Sequence, residues 1–450
     1  MRTCAVGIFK ACDIRGPFGS ELTVEHGRLL AHAIAFRQDP SVVLVGGDAR
    51  PSTPALRGAL IDGFVECGVR VTDLGQVPTP AFYHARRRLG IKVGVMVTAS
   101  HNPPGDNGFK LTLGDMPITE AELHSIRALM EAGINSARPR PGAVTHYDIV
   151  PEYRQHVLSV CAVEGALRVA IDASNGMLGP IAPAVFRELG FEVLELYTDV
   201  DGTFPNHLPN PAVFENLRDL SELVRERGCD LGIAYDGDGD RAAFVDETGT
   251  PVDNDRAIVL FARDALSRSP GGRIVYDQKC SDVVREEILK AGGFPHMEKS
   301  GYTFMKTALL RSGAAYAGEL SGHHFFGEIG GDDALIASLR MAALVQRSGQ
   351  TMSGLVAGVP RYATTPDIRL RVAAGEADAI LLAVSERLAT EAEITELDGV
   401  RAQFRDGWGL VRASVTEPAI TLRFEGRTPE ALQRIKDAFV RAAPQLAGRI

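Results

Sequence analysis

The chain of 450 residues lacks several things. No stretch approaches the roughly 18 consecutive apolar residues that a membrane span requires. No lysine/arginine block is longer than Arg86-Arg87-Arg88, so the basic footprint of a nucleic-acid binder is missing. The six cysteines, at 4, 12, 67, 161, 229 and 280, are scattered without a C-x-x-C pair, which argues against a disulfide framework and against a zinc knuckle. Before Lys10 and Asp13 there is only a short apolar run, too little for a targeting segment. Together these absences predict a soluble cytoplasmic protein with neither nucleic acid nor membrane as partner; a monomer or weak homo-oligomer is expected, though no motif sets the oligomeric state. The formal net charge of −9 means that an anionic ligand would need a local basic pocket.

Glycine, by contrast, is abundant: 47 residues, about a tenth of the chain against the usual ~7%. Gly and Pro together still fall below the disordered range, so the chain is expected to fold throughout. The excess implies tight turns, or backbone that approaches a ligand closely.

Three segments repeat one pattern: a β-branched run ending in Asp, a polar loop, an amphipathic helix, then Gly and a second apolar run. The first begins at Val42, runs to Asp48, passes through Arg50 and Thr53, and has its helix to about Cys67. The second runs from Leu167 to Asp172 with a helix to about Leu189. The third runs from Arg273 to Asp277 with a helix to about Ala291. Onsets at 42, 167 and 273 are too far apart for a solenoid but suit successive α/β domains. The stretch from about Tyr362 differs and reads as a smaller α+β domain. The expected architecture is three tandem related α/β domains with mixed sheets plus that C-terminal α+β domain, at 1–147, 148–249, 250–361 and 362–450.

Four loops carry chemistry. Thr98-Ala99-Ser100-His101-Asn102-Pro103-Pro104 follows the strand-like Val93–Val97, and loops at such strand ends commonly carry ligands in open α/β sheets. His101 could be a hydrogen-bond partner or a base. Asp236-Gly237-Asp238-Gly239-Asp240-Arg241 follows a strand-like run. Its three carboxylates would repel one another unless a hard cation compensates, which suits Mg²⁺. An EF-hand would put Glu247 at position twelve, but position six is Arg241 where Gly is needed, and a strand precedes the loop where a helix should. Gly318-Glu319-Leu320-Ser321-Gly322-His323-His324 offers a carboxylate, a hydroxyl and an imidazole for a polyhydroxy ligand. Adjacent histidines on a strand face opposite ways, so His323 is the expected functional one and His324 a structural one. Arg412-Ala413-Ser414-Val415-Thr416 could cradle a phosphate, or be an ordinary turn.

In this order, and with Lys10-Ala11-Cys12-Asp13-Ile14-Arg15-Gly16 and Gly407-Trp408-Gly409 added, the motifs resemble the α-D-phosphohexomutase superfamily, most closely its phosphomannomutase/phosphoglucomutase branch. The resemblance covers essentially the whole chain and implies four domains arranged around a central active-site cleft, each giving it one loop. It implies that Ser100 is carried as phosphoserine and, with Asp236, Asp238 and Asp240, holds one Mg²⁺. A hexose 1- or 6-phosphate, of mannose or glucose, would be isomerised through a hexose 1,6-bisphosphate, which also serves as activator. Lys110 and His323 would be the candidate acid/base groups. Arg15, Arg241 and Lys279 would contact phosphate or the reacting oxygens, and His101, Tyr302, Glu319 and Ser321 would contact substrate. Arg412, Ser414 and Thr416 would hold the non-reacting phosphate. Cys12, Tyr302 and Val415 depart from the usual pattern. A phosphoglucosamine mutase of the same superfamily and a non-catalytic sugar-phosphate binder are the competing expectations.

Overall fold

One topology recurs three times along the chain, and the sequence repeat is its cause. The computed structural model describes residues 6–161, 163, 166–373, 375–413 and 419–450. In the first sheet, strand Val42–Gly47 pairs in parallel with Arg70–Gln76 on one side and Val93–Val97 on the other. Val93–Val97 then pairs antiparallel with Asp106–Leu113. The second sheet repeats this with Arg168–Asp172 between Glu192–Leu196 and Leu231–Tyr235, and Ala242–Asp246 antiparallel beyond. The third places Arg273–Asp277 between Phe294–Glu298 and Tyr316–Gly318, with His324–Phe326 antiparallel beyond. The first sheet adds edge strands Ile14–Pro17 and Val144–His146, and the third adds Gly331–Asp332.

In each sheet the first of these parallel pairs is joined by the predicted helix, Thr53–Glu66, Ala182–Glu188 or Asp282–Lys290, since parallel neighbours need a crossover. Strands buried on both faces explain the near-continuous apolar runs in the sequence. At Asp282–Lys290 the polar loop supplies its own start signal, because the Ser281 hydroxyl accepts from the Val283 N–H.

The repeat also decides where chemistry sits. In every sheet the connection between the third and fourth strands is one of the signature loops: 98–105 with Ser100, 236–241 with the three aspartates, and 319–323 with Glu319 and His323. All three therefore emerge at the carboxyl end of an equivalent strand. The fourth unit is an antiparallel sheet of six strands backed by helices Glu376–Leu388 and Pro429–Ala442.

One apolar core runs through the first three units, from Leu44 and Phe82 through Ile171 and Phe186 to Phe261 and Leu339. The fourth unit has a core of its own around Ile420, Leu422, Phe424 and Phe439. Its contacts with the third unit are largely polar: Arg401 and Gln403 on Asp282, Arg427 on Glu286, and Lys279 on Asp367. Among the described residues no helix is long and apolar enough to cross a membrane.

Candidate active site

Ser100 sits in the left-handed region at φ 51°, a conformation that costs a non-glycine residue energy and persists only where the surroundings impose it. The surroundings here are explicit. The Thr98 hydroxyl accepts from the Ser100 N–H at 2.8 Å and itself donates to Asp48 at 2.7 Å. The fully buried Arg50 guanidinium reaches back over the loop, donating to the carbonyls of Ser100 at 2.7 Å, Asn102 at 2.6 Å, Pro103 at 2.5 Å and Asp106 at 3.0 Å, and to Asp48 at 3.1 Å. Arg50 and Asp48 thus form the mould of the serine loop.

The mould presents the Ser100 hydroxyl to the second unit, where it donates to Asp236 at 2.6 Å. Asp236, Asp238 and Asp240 are all buried and offer oxygens within 4.8 Å of one another. Asp236 Oδ1 accepts the backbone N–H groups of Gly239 and Asp240, which folds the loop inward. Gly237 allows the close approach: a Cβ there would stand 2.8 Å from the Ser100 carbonyl. Two buried oxygens, Asp238 Oδ1 and Asp240 Oδ1, have no hydrogen-bond partner. A hard cation that takes oxygen ligands fits these residues. The strand Leu231–Tyr235 precedes the loop and Glu247 bonds Ser353 far from it, so the EF-hand alternative fails on structure as on sequence.

Lys110, buried on the fourth strand of the first sheet, donates to Asp238 at 2.8 Å and to Asp240. Burial alone would discharge this ammonium, but Asp238 and Asp240 outweigh it and hold its pKa well above the ordinary lysine value. Asp236 goes the other way: burial first, then its two acidic neighbours, raises it well above the carboxylate range. Asp238 is lowered in spite of burial and the neighbouring Asp240, because Lys110 and Thr79 serve its charged form.

The third unit closes the site. His323 Nδ1 lies 3.0 Å from Asp332, while Arg241 Nε donates to His323 Nε2 at 2.9 Å. An Nε2 that accepts puts the ring proton on Nδ1, facing Asp332. Its neighbour His324 turns into the core against Phe261 and Tyr316 and plays the structural part expected of it. The Glu319 carboxylate accepts from Ser321 at 2.7 Å and from the Gly301 N–H at 3.2 Å. Tyr302 donates to the Cys12 carbonyl at 3.1 Å, and its ring lies 5.4 Å from Lys110 Nζ. Arg15 bonds Asp13, the Ala99 carbonyl and Asn102. The His101 Nδ1 stands 3.3 Å from the Ser100 hydroxyl, with its pKa driven well down by burial and by Arg241 and Arg15.

Two sequence-predicted cations stand in ion pairs: Lys279 with Asp367 at 3.0 Å, and Arg412 with Asp398. Arg412 also lines a cavity of about 280 Å³ with Lys299, Ser300 and Glu120, at the meeting of the first, third and fourth units. Ser414 and Thr416 lie outside the described residues. Sequence reasoning missed Arg50, Thr79 and Asp332. Asp48-Ala49-Arg50 was visible at a strand end, but nothing local says that its guanidinium grips a loop fifty residues on.

Four family models of phosphoglucomutase/phosphomannomutase match in succession: alpha/beta/alpha domain I at 6–136, domain II at 151–249, domain III at 253–362 and the C-terminal domain at 368–442. The chain belongs to the phosphoglucomutase/phosphomannomutase family. It is 40% identical to the phosphomannomutase/phosphoglucomutase of Pseudomonas aeruginosa over 97% of this chain and 95% of that one. It is 38% identical to a phosphoglucomutase of Neisseria meningitidis over 98% and 97%. The crystal structure of a phosphoglucomutase/phosphomannomutase family protein from Burkholderia thailandensis superposes with a TM-score of 0.90 at 36% identity, covering 99% of this chain and 98% of that one. Both the recognised family and the four-part fold agree with the expectations drawn from the motifs.

Proposed function

We propose that the protein is a phosphohexomutase that reversibly interconverts the 1- and 6-phosphates of mannose or glucose through phospho-Ser100 and a hexose 1,6-bisphosphate, which also serves as activator. One observation carries the reading: the strained Ser100 hydroxyl lies 2.6 Å from a buried carboxylate triad with orphaned oxygens, under a buried lysine. Asp236, Asp238 and Asp240, with the Ser100 phosphate, would hold Mg²⁺, which would supply charge neutralisation for phosphoryl transfer.

The chain's own residues do the rest. In the forward half-reaction the serine O–P bond breaks and the Ser100 oxygen takes up a proton, while a sugar hydroxyl oxygen gains the phosphoryl group and gives up its own proton. Lys110 and His323 are the groups placed to move protons, and they start from different states. The carboxylates keep Lys110 charged, whereas His323 has its basic Nε2 capped by Arg241. A phosphate that draws Arg241 toward itself frees Nε2 to accept the proton. Glu319, Ser321, Tyr302 and His101 contact the sugar, Arg15 and Lys279 contact phosphate, and Arg412 with Ser414 and Thr416 grips the phosphate that is not transferred. Using that grip for either end of the sugar lets one serine serve both half-reactions. The four functional units are placed at 1–147, 148–249, 250–361 and 362–450.

A coupled mutase assay with Mg²⁺ and catalytic bisphosphate tests this on mannose 1-phosphate, glucose 1-phosphate and glucosamine 1-phosphate side by side. Turnover of the first two, with Ser100→Ala inactive and one phosphoryl group on the native protein by mass spectrometry, is expected. Calorimetric binding without turnover of any sugar would overturn the enzyme reading, and preference for glucosamine 1-phosphate would move the protein to another branch.

A further inference from the structure

Between the first and third units lies a second cavity, of about 350 Å³, walled by residues of both. Helix Thr79–Arg88 links it to the Ser100 site. Its first residue donates to Asp238 of the carboxylate triad, and its last turn, about 10–14 Å away at 1.5 Å per residue, carries Arg86, Arg87 and Arg88. The cavity is lined by Arg86, Arg87 and Lys92 of the first unit and Lys306 of the third, with Tyr83 and Leu310 as apolar wall. The one acidic lining residue, Asp115, is exposed and already paired with Lys92 at 2.7 Å.

Cations at a helix C-terminus complement its dipole, which would account for the arginines alone. Lys306 has no such account. It comes from a different helix, Tyr302–Ser312, and its side chain is nearly buried. Its ammonium lies 3.8 Å from the centroid of the Tyr83 ring and 4.0 Å from Asp332 Oδ1, too far for a hydrogen bond. Burial first, then Arg87 and Arg86, lowers its pKa to about 8 in spite of Asp332. The Arg87 side chain is exposed at the rim and makes no hydrogen bond or ion pair among the described residues. Arg86 is anchored on the Gly114 and Lys92 carbonyls, which fixes the guanidinium in place. The lining thus carries four cations against one carboxylate, already spent on Lys92, with Asp332 standing 4.0 Å behind Lys306, in a protein whose net charge is −9.

We propose that this cavity binds a small phosphorylated molecule, with its phosphate on Lys306 and Arg87 and its body against Tyr83 and Leu310. A phosphate there accepts the hydrogen bonds that the Lys306 ammonium and the Arg87 guanidinium do not make among the described residues. Its lining includes none of the residues assigned to the mutase reaction, although Lys306 faces Asp332, the partner of His323.

Isothermal titration of the full chain with inorganic pyrophosphate, without divalent cation, tests the site. The wild-type protein is expected to take up two equivalents, one at the cleft and one at this cavity. The exposed double variant Arg87→Glu/Lys92→Glu is expected to take up one, with its unchallenged kcat/KM within two-fold of wild type. Lys306→Met is expected to weaken only the second equivalent, by at least ten-fold, and gives an independent reading should the double variant fold poorly. A single equivalent in the wild type, or equal uptake by wild type and both variants, overturns the proposal.

Discussion

Arg50→Lys keeps the charge and removes the fork, and the structure sets what that should cost. Arg50 donates five hydrogen bonds, to Asp48 and to the carbonyls of Ser100, Asn102, Pro103 and Asp106, from a position with no solvent exposure. An ammonium has three donors, so at least two of those five acceptors lose their partner. Each buried acceptor left unsatisfied costs about 1–3 kcal/mol, giving about 2–6 kcal/mol in all. The loss falls on the loop that holds Ser100 at its positive φ, so geometry suffers along with stability. A misplacement of about 1 Å is enough for roughly 100-fold in rate. Thermal unfolding of Arg50→Lys is expected to shift down by several degrees and the coupled mutase assay to lose about two orders of magnitude in kcat. The exposed Arg434–Asp406 pair is the control: Arg434→Met should move neither beyond about 0.5 kcal/mol. If Arg50→Lys matched wild type in both assays, the idea that a guanidinium fork moulds the serine loop would be wrong.

Other outcomes follow from single contacts. Glu425, fully buried at the boundary of the third and fourth units, has its pKa raised by burial from 4.5 to about 7, although Ser281 and the Asp282 N–H oppose the shift. A raised pKa means that its stabilising contribution is complete below about pH 4.5 and is lost as pH rises through 7. Glu425→Gln should therefore be more stable than wild type at pH 8, by up to about 3 kcal/mol, with the gap closing toward pH 5. Trp408, the only tryptophan, donates to Glu425 at 3.0 Å, and its fluorescence should titrate near pH 7 in wild type and not in the variant. In Asp332→Asn the amide can donate to His323 Nδ1, which pushes the ring proton to Nε2 against the Arg241 N–H. kcat should fall at least ten-fold with KM nearly unchanged in steady-state assays. Gly108→Ala would put a Cβ 2.3 Å from the Ile14 carbonyl, so the edge strand beside the serine loop must shift. A loss of about 1–3 kcal/mol in denaturant unfolding is expected.

The sequence by itself determined the repeated strand-loop-helix-strand units, because alternation of apolar runs, helix periodicity and glycine stops is local information. Val42–Gly47, Arg168–Asp172 and Arg273–Asp277 all fall where the pattern put them. It also carried the loops around Ser100, Asp236 and Glu319, whose residue types are dense enough to be recognised as motifs. Ser414 and Thr416 were equally legible but lie outside the described residues. Only the tertiary structure decided that those three loops occupy equivalent connections in three sheets and face one another. Arg50 gripping carbonyls more than fifty residues away, Asp332 fixing the His323 proton, and Lys306 stranded beside Tyr83 were likewise out of reach of the sequence. The physical reason is the same in each case: a buried charge takes its meaning from the partners that folding brings to it, and those partners come from other units of the chain.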